Sequence, residues 1–273
     1  MRKIALMTLL LTASTLAADE RFFSYNYEAD VLPSGGFEFE QWITHHAGKA
    51  KGVYSRWDLR EEIETGLTDR LTAALYLNAK SVYESQADDD PSSATFGQVT
   101  NTEEFAFEGV STEWKYQIFS PYQSWLGVLT YAELSYNGPE FEAEGKLVLQ
   151  HNVGQDLIAV VNLSVENEYI YEALSQVIEG KSEFSAGLSW RITPTLGLAL
   201  EARNSRIWPD NWGWQQSSAW HAGPTFHYAN TRWWGNLSVM PQLSGTPVTI
   251  EGDGRNLSDY EKMETRLLLG VNF

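Results

Sequence analysis

The feature that most restricts the fold of this chain is a strict two-residue alternation of apolar and polar side chains, which recurs from Gly36 to the C-terminus. Between residues 182 and 208, aliphatic or aromatic side chains at every second position oppose Ser, Gly, Glu and Arg, and a Thr-Pro-Thr turn divides the two runs. A period of two with short turns is typical of antiparallel β-strands. The charged face and the aliphatic face of each strand match a polar lumen and a lipid-exposed outer wall.

About twelve such strands predict an all-β fold, a single transmembrane antiparallel up-and-down β-barrel with both termini in the periplasm. The strand near residues 103–117 changes phase, because Phe105 and Phe107 lie on one face and Val110, Thr112 and Trp114 on the other, so we expect a β-bulge there. The twelve strands are predicted at residues 36–46, 53–67, 70–83, 103–117, 124–137, 140–153, 156–171, 181–193, 195–207, 217–229, 232–243 and 260–273.

Short and long connections alternate along the chain, which sets the topology of the predicted barrel. Turns of a few residues follow Gly66, Phe119, Val153, Thr193 and His227. Longer connections span 84–102, 172–180, 207–216 and 244–259. Because short turns are periplasmic and long loops extracellular in outer-membrane barrels, residues 19–35 are predicted to form a periplasmic N-terminal segment and residues 36–273 the transmembrane barrel.

The N-terminus, residues 1–18, has the three-part pattern of a secretory signal peptide. A basic start precedes a short apolar run and a small-residue exit, with cleavage expected after Ala17 or Ala18. Cleavage removes two basic residues and no acid, so the formal net charge moves from −17 to −19, which disfavours binding to nucleic acid. The chain has no Cys, and this excludes disulfides, thiolate metal sites and a Cys nucleophile.

Aromatic residues are abundant, with 11 Trp, 13 Tyr and 12 Phe, although the mean hydropathy is slightly negative. A barrel explains both facts, because aromatic girdles mark its two membrane interfaces. A soluble β-sandwich or jelly roll is the structural alternative, since it also has alternating strands, but it accounts for neither the girdles nor the unequal connections. The predicted girdle residues are Tyr54 and Trp57, Tyr122 and Trp125, Trp208 to Trp220, and Trp233 and Trp234.

The last eight residues resemble the C-terminal assembly signal of bacterial outer-membrane barrels, since Leu267, Leu269 and Val271 alternate before a terminal Phe273. The resemblance implies a Gram-negative host, recognition by the barrel-assembly machinery, and a location in the outer membrane in contact with lipid and lipopolysaccharide. Residues 32–42 and 60–71 more loosely resemble small barrels described as candidate transporters or as uncharacterised proteins, and this second resemblance implies no substrate.

Charged side chains on the inward face are the candidate functional residues. A one-sided acidic wall lowers the energy of a cation, which favours a passive channel for small cationic or neutral polar solutes. The alternative is a non-conducting structural or lipid-interacting barrel, whose charged side chains fill the lumen by pairing across strands. The predicted lumen-lining residues are Glu38, Glu40, Asp58, Arg60, Glu62, Glu64, Lys80, Glu142, Glu144, Lys146, Glu166, Arg191, Glu201, Arg203, Glu264 and Arg266.

No catalytic residue, metal site or cofactor is predicted. A lipid hydrolase is a less favoured alternative, because His221 and His227 share a strand face but are separated by about 20 Å at roughly 3.3 Å per residue. His45 and His46 would point to opposite faces of a strand. The acidic loops lack the EF-hand spacing and are expected to be solvated. The Trp-rich loop 207–217 fits either a ligand platform or an interface belt.

Overall fold

Twelve antiparallel strands close into one barrel, in which each strand pairs with its neighbours in sequence and the first strand pairs with the last. This confirms the predicted up-and-down topology and strand number. The computed structural model describes residues 21–172 and 175–273, without the side chains of residues 172–177. The predicted signal peptide, residues 1–18, lies outside the described residues. Within the described part of the chain, no helix is long and apolar enough to cross a membrane.

The observed strands differ from the predicted ones by a few residues at most of their ends. They are β1 (Phe37–Ala47), β2 (Val53–Thr68), β3 (Leu71–Ala87), β4 (Val99–Phe119), β5 (Gly127–Tyr136), β6 (Glu140–Val153), β7 (Leu157–Glu172), β8 (Ser175–Thr193), β9 (Leu196–Trp208), β10 (Ser217–Ala229), β11 (Trp233–Thr246) and β12 (Met263–Asn272). A single helical turn, α1 (Pro209–Trp212), follows β9.

The predicted bulge in β4 is present at Glu108. The register with β3 shifts there, because Asn78 is opposite Gly109 while the next residue, Ala79, is opposite Phe107. Gly109 has a φ of +98°, a conformation that Gly adopts at little cost. The extra residue restores the phase of the strand, so that Phe105, Phe107 and the apolar residues beyond the bulge all face outward.

The outward face of the barrel is apolar and the inward face is polar, as the alternation predicts. Leu75 and Phe105 are 69% and 73% exposed on the outer wall, whereas Asn162 and Ser185 are buried inside. Trp233 faces outward, but Trp234 is fully buried in the lumen. The prediction that both belong to an interface girdle is therefore wrong for Trp234, because adjacent strand residues point to opposite faces.

The connections define two ends of the barrel. The short-turn end carries 69–70, 120–126, 154–156, 194–195 and 230–232, and the long-loop end carries 48–52, 88–98, 137–139, 209–216 and 247–262. The predicted long connections 84–102 and 172–180 are shorter than expected, because the flanking strands extend to Ala87, from Val99, to Glu172 and from Ser175. Which end faces the periplasm stays a prediction.

Residues 21–32, called the plug below, cross the lumen near the short-turn end. The chain passes from the plug into β1 through residues 33–36, where the Gly35 N–H donates to the Gly66 carbonyl at 2.8 Å. Phe23, Ser24 and Ala29 are fully buried. The prediction of a periplasmic segment outside the barrel is thus corrected for residues 21–32. Burial of its aromatic side chains stabilises the segment inside the barrel.

Candidate functional site

Glu201, on β9, anchors the plug through a converging set of hydrogen bonds. Its carboxylate accepts the backbone N–H groups of Ser24, Tyr25 and Asn26 at 2.8, 2.9 and 2.9 Å. It also accepts the Asn26 side-chain amide at 2.9 Å and the Thr225 hydroxyl. Glu201 was predicted to line the lumen, and its place beneath the plug shows that it binds protein backbone there.

Inward-facing amide side chains on other strands bond to further backbone groups of the plug. Asn162 accepts the Tyr27 N–H at 2.6 Å and donates to the Tyr27 carbonyl at 3.0 Å. Gln150 accepts the Ala29 N–H at 2.7 Å, and Gln117 donates to the Ala29 carbonyl at 2.8 Å. Because buried backbone groups require such partners, the barrel wall is built to hold an irregular segment.

Apolar contacts hold the first residues of the plug. Phe22 and Phe23 form a buried cluster with Ile158, Val160 and Ala199. The Phe22 ring also lies 4.5 Å from the His227 ring, centroid to centroid. A Cβ on Gly187 would lie 2.5 Å from the Phe23 ring, so only glycine leaves room for Phe23 at this position on β8.

The plug also places charged and hydroxyl groups toward the wall formed by β1, β2 and β4. Arg21 lies 3.5 Å from Glu40 Oε2, and its guanidinium stacks on Tyr27 and Trp42. Burial raises the pKa of Tyr27 well above its ordinary value, and the charge of Glu113 raises it further. The Tyr27 hydroxyl therefore stays protonated and donates to Glu113 Oε2 at 3.3 Å.

Above the plug, the lumen holds a charged cavity of about 420 Å³. Its floor includes Tyr25 and Tyr27 of the plug, and its wall reaches Asn137 and Glu140 at the long-loop end. Of the predicted lumen-lining residues, eight line this cavity: Asp58, Arg60, Glu142, Glu144, Lys146, Glu166, Arg203 and Arg266. Five further charged residues line the cavity that were not predicted to do so: Arg56, Glu108, Glu133, Glu140 and Glu183.

The charges around the cavity are separated in space. Four arginines, Arg56, Arg60, Arg203 and Arg266, lie on the arc from β9 through β12 and β1 to β2, whereas most of the carboxylates lie on β4 to β8. The cavity therefore has a basic side and an acidic side, with an electric field between them. Lys146 is the exception on the acidic side, and it lies 3.3 Å from Glu144.

Strand register forms a row of carboxylates that is interrupted once, at Ala74. Reading across paired positions from β1 to β7, the row contains Glu38, Glu64, Ala74, Glu113, Glu133, Glu144 and Glu166, and on β8 it ends at Lys181. Glu38, Glu64 and Glu113 are fully buried beside the plug, whereas the last three glutamates line the cavity. The row thus links the plugged part of the lumen to the open part.

The other predicted lumen residues lie inside the barrel but outside the cavity lining. Glu40 and Glu62 are fully buried beside the plug. Lys80 pairs with Glu108 at 3.0 Å, and Glu264 pairs with Arg203. Arg191 lies at the short-turn end over the Phe22 ring, 4.9 Å from its centroid.

The histidines occupy separate environments. His45 faces outward and stacks on Trp57 with ring centroids 4.2 Å apart, while His46 faces inward, 2.9 Å from Asp58 Oδ2 and 3.6 Å from Glu261 Oε2. This agrees with the predicted opposite directions of the two side chains. Burial acts to raise the pKa of Glu261, but the hydrogen bond with His46 and the charge of Lys49 outweigh it and lower the pKa.

Two further sequence features have defined places in the structure. Leu267, Leu269, Val271 and Phe273 of the predicted assembly signal lie on the outward side of the last strand and its end, and Leu268 between them is buried. In the Trp-rich loop, Trp212 stacks on Trp208 and donates to Asn167 at 2.6 Å. Trp214 is exposed. Recognition by the assembly machinery and a ligand role of the loop both stay predictions.

Among the described residues, four groups bring three His, Asp or Glu side chains within metal-binding distance of one another. They are His46, Glu261 and Glu264; Glu38, Glu40 and Glu64; Glu62, Glu64 and Glu113; and Glu140, Glu142 and Glu168. Each group contains a carboxylate that pairs with a lysine, since Lys181 lies 2.5 Å from Glu168, Lys49 lies 3.0 Å from Glu261 and Lys115 lies 2.5 Å from Glu64. The two groups on β1, β2 and β4 share their strongly buried position beside the plug.

Comparison with solved structures shows the same fold in outer-membrane barrels. The crystal structure of an outer membrane channel from Pseudomonas putida F1 superposes with a TM-score of 0.60 at 11% identity, covering 92% of this chain and 100% of that one. The KdgM porin gives 0.50 at 9% identity over 86% and 99%, and the NanC porin gives 0.50 at 11% over 86% and 98%. The comparison with curated proteins gave no match. A model described as a family of unknown function, DUF6662, matches residues 15–273.

Proposed function

The chain belongs to DUF6662, a family of unknown function, and we propose that this member is an outer-membrane channel for small cationic or dipolar polar solutes that the plug closes. The observation that carries the proposal is the row of six glutamates that runs from the plugged part of the lumen into the cavity. A row of carboxylates lowers the energy of a cation at each step along it. The porin-like fold of the structural neighbours supports a channel.

The nature of the plug supports closure that is reversible. Residues 21–32 bond to the barrel through side chains of Glu201, Asn162, Gln150 and Gln117 rather than by adding a strand. The segment contributes no strand to the barrel, so its departure would leave every strand pair among the described residues intact. In a permanently closed barrel, side chains that project from the strands would fill the lumen. Such side chains cannot leave the lumen while the strands stay paired.

The experiment that tests the proposal is planar-bilayer conductance of the folded protein with and without residues 21–32. We expect rare openings of the intact chain and stable conductance steps of the shortened chain, with a cation-selective reversal potential in a potassium chloride gradient. Heat-modifiable migration and circular dichroism verify that both barrels are folded. A folded shortened barrel that stays silent would contradict the channel and favour the non-conducting barrel.

Replacing two cavity glutamates should weaken the cation preference of the unplugged channel. Glu144→Gln with Glu166→Gln removes adjacent members of the glutamate row, and we expect the potassium-to-chloride permeability ratio to fall roughly twofold or more. The matched control is Glu103→Gln with Glu104→Gln, which removes the same charge from exposed positions of β4 outside the cavity. If the two double variants change the reversal potential by the same amount, then the row of glutamates does not select ions.

A further inference from the structure

The most acidic part of the buried lumen lies between the plug and the wall formed by β1, β2 and β4. Strand register puts Glu38 opposite Glu64 and Glu40 opposite Glu62, and like charges directly opposite each other destabilise a sheet. Both pairs are fully buried, as is Glu113 two strands away. Close packing of carboxylates away from water requires compensation by cations or protons.

The cations that the structure places beside these carboxylates leave an excess of negative charge. Lys115 Nζ lies 2.5 Å from Glu64 Oε1 and 3.4 Å from Glu113 Oε1, and Arg21 of the plug lies 3.5 Å from Glu40. Five carboxylates, those of Glu38, Glu40, Glu62, Glu64 and Glu113, therefore face three positive side chains, because the charge of Arg60 also acts on Glu62. The indole N–H groups of Trp234 and Trp42 donate to two of the acids without adding charge.

The carboxylate of Glu62 has a buried oxygen atom that the described residues leave unsatisfied. Its side chain is 1% exposed, and in the described part of the chain its Oε2 atom is buried with no hydrogen-bond partner. The same carboxylate belongs to a group in which ligand atoms of Glu62, Glu64 and Glu113 lie within 4.8 Å of one another. A buried polar atom without a partner requires an occupant.

We propose that Glu62, Glu64 and Glu113 form a buried binding site for a divalent cation of the calcium type. Calcium takes carboxylate oxygens at about 2.4 Å, so two oxygens bound to one ion lie no more than about 4.8 Å apart, and the three ligand atoms of this group all lie within that distance of one another. All the candidate ligands are oxygens, and a hard cation prefers such a set. A bound ion would also give Glu62 its missing partner and reduce the repulsion between β1 and β2.

Direct binding to the folded, full-length barrel tests the site. The protein is treated with a chelator in detergent and titrated with calcium chloride by calorimetry, and terbium luminescence excited through nearby aromatic residues gives a second readout. We expect one calcium ion per chain. Glu62→Gln should weaken binding by at least about tenfold, because ligand charge sets calcium affinity. Glu61→Gln, the adjacent residue, should bind as the unchanged protein does, since Glu61 contacts Gln41 on the outer wall.

The outcomes separate a metal site from a protonated carboxylate. If Glu62→Gln does not fold, Glu113→Gln takes its place, and the stoichiometry of the unchanged protein is a test in itself. Absence of stoichiometric calcium binding, together with an infrared band of a protonated carboxyl that Glu62→Gln removes, would overturn the proposal. Unchanged affinity in both glutamine variants would also overturn it. Because no conductance is measured, failure of the channel proposal leaves this test intact.

Discussion

Glu201→Ala is expected to convert a barrel that is mostly closed into one that conducts for a large fraction of the time. The substitution removes the acceptor of three backbone N–H groups and of the Asn26 amide. Hydrogen bonds to a charged group contribute about 1.5–3 kcal/mol each, so losing the set should cost the plugged state at least about 3 kcal/mol. A change of that size raises the open-to-closed ratio more than about a hundredfold. Single-channel recording of the open fraction measures it.

Two variants make this result specific to the anchor. Glu201→Gln keeps the shape and one acceptor oxygen but loses the charge, so its open fraction should lie between those of the unchanged protein and Glu201→Ala. Leu200→Ala changes the adjacent residue, which is exposed on the outer wall, and should leave the open fraction as it was. If Glu201→Ala folds and its open fraction equals that of Leu200→Ala, then Glu201 does not hold the channel closed.

The wall of the barrel could be predicted from the sequence because its determinants are local. Two-residue alternation reports which side of a strand meets lipid, and it located all twelve strands. The change of phase between Phe107 and Val110 was enough to predict the bulge, which the register confirms at Glu108. The lengths of the connections at 84–102 and 172–180 were wrong, because the strand pairs there extend into sequence without apolar alternation.

The plug could not be predicted in the same way, because its structure is not periodic. Residues 21–32 have no alternation, and their conformation is specified by side chains more than 80 residues away in sequence. Two signals pointed to it nonetheless. Phe22, Phe23, Tyr25 and Tyr27 are too apolar for a solvated tail, and inward Asn and Gln residues on several strands had no evident partners. Buried amides of this kind indicate a missing backbone segment.

The plug divides the predicted lumen residues into two sets with different surroundings. The inward direction of Glu38, Glu62 and Glu201 followed from the alternation, but alternation does not show what fills the space in front of a side chain. The structure places Glu38, Glu62 and Glu201 in the plugged part of the lumen, whereas Glu144 and Glu166 line the cavity. Selectivity is therefore tested on the cavity residues, and closure on those beneath the plug.

Trp234→Ala is expected to cause the largest loss of stability of any single substitution in the wall. Trp234 is fully buried in a cluster with Trp42 and Leu268 of the wall and Tyr27 and Ala29 of the plug, and its indole N–H donates to Glu38. A Cβ on Gly270 would lie 2.2 Å from the indole, so the neighbouring strand is shaped around this ring. Truncating a buried aromatic side chain costs about 3–5 kcal/mol, and losing the donor to buried Glu38 adds to that cost.

Trp233 provides a matched control for this substitution, because it is the adjacent residue on the same strand and faces outward. Trp233→Ala removes the same number of atoms from the membrane side, where lipid or water replaces them without leaving a cavity. It should therefore lower the free energy of unfolding by less than about 2 kcal/mol. Reversible urea unfolding in lipid vesicles, followed by circular dichroism, gives both free energies of unfolding. Equal losses for the two variants would mean that the lumen around Trp234 refills when the ring is removed, and that the plug and wall do not form one packed core.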